Sequence, residues 1–347
     1  MNNTDPATPQ NRRIALWLFI CCAMVFSMVI LGGVTRLTGS GLSMVEWDPI
    51  FGIVPPLDEQ AWNETFDLYK QSPEYQKINI GMDLEGFKYI YWFEYTHRVL
   101  GRTIGTAFLL PFLFFLAKGW INRPLVPKLV MMFVLGGLQG LLGWYMVKSG
   151  LVDNPHVSQY RLTAHLGLAV IIYAFMLRVA LDLWYGTNPP GETHPVMQRL
   201  TALLGTLVFI TILSGGFVAG LKAGFAYNTF PLMDGQWIPQ AIFMQQPLWR
   251  NFFENIATVQ FDHRLLATLV FASVLILWLA TLRQPVSRQV RLGLHAMLAA
   301  AVLQVGLGIS TLLLQVPVTL ASMHQGGALL LLTTVMYLNH RVARSGS

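Results

Sequence analysis

The chain has 347 residues, of which 54% are hydrophobic and only 12% charged, against roughly a quarter charged in soluble domains; its mean hydropathy is +0.51. That balance excludes an ordinary water-soluble enzyme. The formal net charge of +6 does not indicate nucleic acid, because Lys and Arg sit at the ends of apolar runs and form no basic patch with interleaved exposed aromatics. Cys21 and Cys22 are adjacent within the first apolar run, so there is no disulfide framework to read.

Apolar runs of the length needed to cross a hydrocarbon core of roughly 30 Å recur along the whole chain. They predict eight transmembrane helices, near 14–34, 90–117, 129–147, 162–183, 199–221, 258–282, 292–315 and 319–339. The first run follows a polar segment ending in Arg12 and Arg13, is too long for a secretory signal and lacks a cleavage signature, so it is expected to be retained. With the N-terminus inside, the inner segments collect twelve Lys and Arg, from Arg12 to Arg344. The outer segments, dominated by 35–89 and 222–257, hold eight over about twice the length, which places both termini in the cytoplasm. The first outer segment, rich in acidic residues from Glu46 to Glu85, suits a translocated cap over the helices.

The chain repeats itself. Glu94-Tyr-Thr-His97-Arg98 matches Gln260-Phe-Asp-His263-Arg264, and Leu138-Gln139-Gly-Leu-Leu-Gly143 matches Leu303-Gln304-Val-Gly-Leu-Gly308. Ala164-His165-Leu-Gly167 matches Met323-His324-Gln-Gly326, and Gly32-Gly33 matches Gly215-Gly216. An even number of spans per unit gives both copies the same orientation, related by an axis along the membrane normal. The expected architecture is an all-α integral membrane protein whose eight transmembrane helices form two pseudo-symmetric four-helix bundles, a tandem parallel repeat. The bundles cover 14–183 and 199–339, with cytoplasmic segments at 1–13, 184–198 and 340–347.

Four of the eight histidines, His97, His165, His263 and His324, fall in the first turns of the even-numbered spans, all near the outer face. A polar ring at membrane depth costs free energy unless it is paired, ligated or facing a cavity. Two per half at matching depth point to paired ligands. Without a third ligand in each set, two imidazoles from facing helices suit axial ligation of haem better than zinc. Arg98, Arg102 and Arg264 lie beside them, placed either to neutralise haem propionates or to snorkel and pair with a carboxylate such as Asp262. Gly101, Gly105, Gly167, Gly326 and Gly327 would let a flat macrocycle approach the backbone, or serve helix packing. His156, His194, His295 and His340 read as interfacial.

The halves differ where it matters: Glu94 stands three residues before His97, whereas Gln260 stands three before His263. A carboxylate at that depth can move a proton, stabilise positive charge on a substrate, or pair with Arg98. One bundle then holds a permanent haem for electrons and the other a molecule that is transformed, with the Glu94 half as the reaction side. On the residues alone, an electron-transfer cytochrome carrying two b-type haems, a haem-modifying enzyme and a transporter all remain open.

The run Gly32-Gly33-Val-Thr-Arg36-Leu-Thr-Gly39-Ser-Gly41-Leu-Ser, continuing through Glu46-Trp47-Asp-Pro49, together with Glu94-Tyr-Thr-His97-Arg98, Thr163-Ala-His165 and Asp262-His263-Arg264, resembles the haem A synthase family over essentially the full chain. The resemblance implies oxidation of a methyl group of haem O, at C8, to the formyl group of haem A. It implies His263 and His324, with Arg264, around a haem b cofactor, and His97 and His165, with Arg98, around the substrate haem, with Glu94 as the catalytic carboxylate. It also implies haem O as substrate, with haem O synthase and an electron-transfer protein as candidate partners. No cysteine occurs in 35–89, so the chain resembles the cysteine-free branch of proteobacteria and mitochondria and excludes a thiol relay through that loop. Lack of an Arg/Ser-rich presequence leads us to expect a bacterial inner membrane, with the haem sites near the periplasmic side.

Overall fold

The computed structural model describes residues 8–45, 53–150, 155, 157–185 and 195–342. Outside the described residues lie the motif Glu46-Trp47-Asp-Pro49, the two histidines His156 and His194, Arg344, and parts of the terminal and linker segments. Eleven α-helices follow one another: α1 (Pro9–Leu37), α2 (Glu59–Lys70), α3 (Pro73–Lys77), α4 (Leu84–Ala117), α5 (Val126–Gly150), α6 (Gln159–Tyr185), α7 (Pro195–Gly220), α8 (Asn251–Glu254), α9 (Ile256–Thr281), α10 (Arg288–Leu313) and α11 (Val318–Arg341). Among the described residues, eight of them (α1, α4, α5, α6, α7, α9, α10 and α11) are long and apolar enough to cross a membrane. These are the eight spans read from the sequence.

Side-chain caps fix where several helices begin. Asp58 accepts from Ala61 N at α2, Asp83 from Gly86 N at α4, Asn255 from Ala257 N at α9 and Ser287 from Val290 N at α10. The cap at Asp83 starts α4 six residues before the expected position. Its 34 residues make a rod of about 50 Å at ~1.5 Å per residue, longer than the hydrocarbon layer. The surplus outer turns carry Phe87, Ile90 and Tyr91, on which Trp62, Phe66 and Tyr69 of α2 pack to form a separate aromatic core. Apolar burial explains why an acidic, outwardly polar segment folds as a cap.

Helices α1, α4, α5 and α6 pack on one another in a closed circuit, and so do α7, α9, α10 and α11. The circuits meet through α1, α6, α7 and α11. Gln325 Nε2 of α11 donates to Val29 O of α1 at 2.8 Å, and Tyr173 of α6 bonds Thr333 of α11 at 2.7 Å. Small residues permit this approach. A methyl group at Gly326 would lie 3.0 Å from Ile30, and one at Gly167 would lie 2.9 Å from Leu213. Ile30 and Leu213 are 183 positions apart, as are Gly32 and Gly215. Gly167, Gly326 and Gly327 therefore face side chains of neighbouring helix turns and not the histidine rings. Gly101 faces Met28, and Gly105 has open space beside it.

Candidate functional site

Each of the four histidines His97, His165, His263 and His324 rests on a glycine of the preceding long apolar helix. A methyl group at Gly32 would sit 3.0 Å from Cε1 of His97, at Gly143 3.0 Å from His165, at Gly215 3.2 Å from His263, and at Gly308 2.8 Å from His324. These separations are inside the ~3.5–4.0 Å of ordinary carbon contact. The rings thus occupy the volume that a side chain on the neighbouring helix would fill. Gly32 and Gly143, and their counterparts Gly215 and Gly308, are the positions quoted above for the repeat.

His263 and His324 face each other with ring centroids 6.3 Å apart and planes at 87°. Two imidazole nitrogens bound to one metal ion at about 2 Å each put the ring centres roughly 6 Å apart. The pair therefore fits axial ligation of one iron. His97 and His165 lie within electrostatic reach of each other. Nδ1 of His97, His165 and His324 is buried without a hydrogen-bond partner, unlike Nδ1 of His263. Among the described residues no cluster of three or more His, Cys, Asp or Glu is placed to hold a metal ion. The donor chemistry of His263 and His324 would suit a bis-imidazole site.

The hydrogen bonds of the rings distinguish the two halves. Nδ1 of His263 lies 2.8 Å from Ser214 Oγ, and that hydroxyl donates to Thr211 O at 2.8 Å. Gln139 Nε2 lies 3.2 Å from His165 Nε2 and donates to His165 O at 3.0 Å.

Glu94 is buried and takes four hydrogen bonds. Ser43 Oγ donates at 2.7 Å and Met44 N at 2.9 Å to one oxygen, and Arg98 Nε at 3.1 Å and Nη2 at 2.6 Å to the other. Arg98 Nη2 also donates to Met44 O at 2.9 Å. In the second half Arg264 Nη2 donates to Tyr227 O at 2.7 Å and Nη1 to Thr229 O at 2.9 Å, and Gln260 Nε2 donates to Ala223 O at 3.0 Å. Met44 and Tyr227 are again 183 positions apart. Both motifs thus fasten the outer segment that follows the first span of their half. Arg98 pairs with Glu94, the third of the roles the sequence left open, and Arg264 bonds carbonyl oxygens of the loop after α7 while its Nη2 also reaches Gln260 Oε1 at 3.4 Å. Arg264 Nε is buried without a partner.

Of the other histidines, His295 accepts from Trp278 Nε1 at 3.0 Å on an exposed edge. His340 departs from its interfacial reading. It is 1% exposed, with Nε2 3.2 Å from Asp182, which also pairs with Arg178 at 3.2 Å. Its neighbour Asn339 reaches across to α7, donating to Gln198 O and Thr201 Oγ1 at 2.9 Å. Sequence reasoning missed Ser43, Ser214 and Asp182. Ser214 left a trace as Ser-Gly-Gly where the first half has Leu31-Gly32-Gly33, and Ser43 closes the Gly32 to Ser43 run without its bond to Glu94 being legible there.

The family model for COX15-CtaA, described as cytochrome oxidase assembly protein, matches residues 15–336. A protein named Heme A synthase from Nitrosospira multiformis is 57% identical over 343 residues, covering 98% of this chain and 96% of the relative. Heme A synthase COX15 of Arabidopsis thaliana is 48% identical over 97% of this chain and 76% of its own length. Heme A synthase COX15 of Homo sapiens is 45% identical over 98% of this chain and 85% of its own.

Proposed function

This chain belongs to the COX15-CtaA family of cytochrome oxidase assembly proteins, and on that premise we propose how its residues divide the work of a haem A synthase. It is a multi-pass membrane enzyme that converts haem O to haem A, oxidising a ring methyl group to a formyl group. The conversion of CH₃ to CHO with oxygen from water releases four electrons and four protons. The half at 14–183 holds the substrate and the half at 199–339 holds a resident haem b.

The observation that carries this reading is the four-fold placement of histidine on glycine, with His263 and His324 at a spacing that suits one iron. His263 and His324 hold the cofactor, which supplies one-electron transfer when bound. His97 and His165 hold the iron of the substrate haem from both faces. That arrangement leaves no vacant position on the substrate iron for oxygen activation, so electrons leave from the methyl group and water adds to it. Glu94 acts as a fixed negative charge. Four donors converge on its carboxylate, which suits stabilising positive charge at a nearby carbon better than carrying a proton. Arg98 holds that carboxylate in place, and the unpartnered Nε of Arg264 is available to an anionic haem edge.

The distribution of Lys and Arg supports both termini in the cytoplasm of a bacterial inner membrane, with the haem sites towards the periplasm. Haem O synthase and an electron-accepting protein are the partners this chemistry calls for.

The test is extraction and chromatographic identification of the haems bound to the purified protein, after expression with and without a supply of haem O. Haem b in both conditions, with haem O or haem A only under supply, is expected. Two haem b per chain in both conditions would instead make it an electron-transfer cytochrome. Incorporation of label from ¹⁸O₂ and none from labelled water, under conditions that prevent exchange, would refute water addition.

A further inference from the structure

Resting on the assignment of the two histidine pairs above, we propose that Ser214 makes the second pair a retaining haem site and that Leu31 leaves the first pair an exchangeable one. Three relationships put position 31 opposite position 214. Ile30 and Leu213 meet Gly326 and Gly167, Gly32 and Gly215 meet His97 and His263, and Met44 and Tyr227 receive Arg98 and Arg264. All three pairs keep one offset of 183 residues. The residue between the first two pairs is Leu31 in one half and Ser214 in the other.

The chemistry differs accordingly. The single hydroxyl proton of Ser214 is donated to Thr211 O at 2.8 Å, so towards His263 the oxygen offers a lone pair. Nδ1 of His263 then carries the ring proton and donates it across 2.8 Å, leaving the Nε2 lone pair free for iron. A hydrogen bond of this kind fixes the tautomer and the ring orientation and raises the basicity of the ligating nitrogen. Removing such a partner typically costs 10–100-fold in metal affinity. The Leu31 side chain has no atom that can accept a hydrogen bond, and Nδ1 of His97 is buried without a partner. A cofactor must stay, whereas a substrate must arrive and its product must leave.

Ser214 is a positioning residue, and its test needs a readout other than turnover. The full-length protein, purified with its haem, is mixed with excess apomyoglobin and the rate of haem transfer is followed, alongside the midpoint potential of the retained haem. S214A is expected to release haem b about 10-fold faster or more. Its midpoint potential should move upward, because a less basic imidazole stabilises ferric iron less. S214T, which keeps the hydroxyl, should stay within about two-fold of the unaltered protein by the same scale. L31S, expressed with a haem O supply, should carry more haem O and haem A per chain. Release from S214A at the unaltered rate, with an unshifted potential, would overturn the assignment of Ser214, and an unchanged load in L31S would overturn that of Leu31. The H263A variant separates this from the reading beneath it: a haem b content and spectrum unchanged in H263A would overturn the ligand assignment itself, and this proposal with it.

Discussion

The Glu94 carboxylate and the Arg98 guanidinium meet at 2.6 Å on one face of α4, one turn apart and almost fully buried. At a buried position the pair gains its value from the extra donors, Ser43 Oγ and Met44 N, that satisfy the remaining lone pairs. The second half shows what happens when the charge is removed by the chain itself. Gln260 takes the place of Glu94, Arg264 keeps a longer 3.4 Å bond to its Oε1 and bonds loop carbonyls as Arg98 does, and the segment after α7 is still fastened.

That comparison sets the expectation for E94Q. A neutral amide keeps hydrogen-bonding capacity towards Ser43 and Arg98, so the fold and haem binding should persist. On the role proposed for Glu94, the negative charge that stabilises the substrate is lost, and removal of one such electrostatic group costs typically 100-fold or more in rate. Haem A yield per bound haem O, measured in membranes at matched protein level, should fall by that order. A normal yield would remove Glu94 from the chemistry and leave it as a loop fastener.

The glycines under the histidines make a sharper structural prediction. G308A would bring a methyl group to 2.8 Å from Cε1 of His324, and G143A one to 3.0 Å from that of His165. Each ring must shift, and a bis-imidazole site tolerates little displacement. G308A should lower the haem b content of the purified protein several-fold, while G143A should lower retention of haem O. Pyridine haemochrome assay of the two variants checks both.

How legible this was in the sequence depends on the kind of signal. Eight spans followed from hydrophobic length, because the bilayer demands it of every helix. The four histidines followed from being polar at one repeated depth. The early start of α4 did not: its first turns are stabilised by Trp62, Phe66 and Tyr69 of α2, which no local pattern ties to it. Nor did the fastening of Met44 by Glu94 and Arg98, since a helix and a loop fifty residues apart share no periodicity. His340 read as interfacial because its position near a chain terminus is visible and its burial against Asp182 is not.

The outer cap should respond to pH through Glu74. Burial pushes its carboxyl up to about 7, a rise that the Tyr69 hydroxyl opposes with a 3.2 Å hydrogen bond and the charge of Glu94 reinforces. The proton is therefore bound more tightly in the folded cap than in the unfolded segment, where the ordinary value is 4.5. Stability of the cap is then greatest at or below the unfolded value and declines as pH rises from about 4.5 to about 7. Amide exchange of residues 59–83 in nanodiscs should be slower at pH 5.5 than at pH 7.5 after correction for intrinsic rates, and E74Q should abolish the difference. Equal protection in the unaltered protein at the two pH values would refute it.

Near the C-terminal ends of α6 and α11, Asp182 joins Arg178 and His340, and Asn339 carries the contact on to α7. Asp182 is only 17% exposed, whereas Arg178 is 41% exposed and can turn to water. Replacing Asp182 by Asn removes the anion while keeping the volume, and leaves the arginine a solvated exit, so the cost should stay near 1–2 kcal/mol. H340A should cost more, because it vacates a fully buried ring volume and removes the 3.2 Å contact with Asp182; about 2–4 kcal/mol is expected from the cavity. The two sites touch each other, so the double variant D182N/H340A should be less destabilised than the two costs added, by about 0.5 kcal/mol or more. Thermal unfolding in detergent, followed by cysteine-reactive dye as Cys21 and Cys22 become exposed from the core, measures all three. Additive losses would mean that Asp182 and His340 stabilise the junction of the helices independently, and that the 3.2 Å approach between them carries no energy of its own.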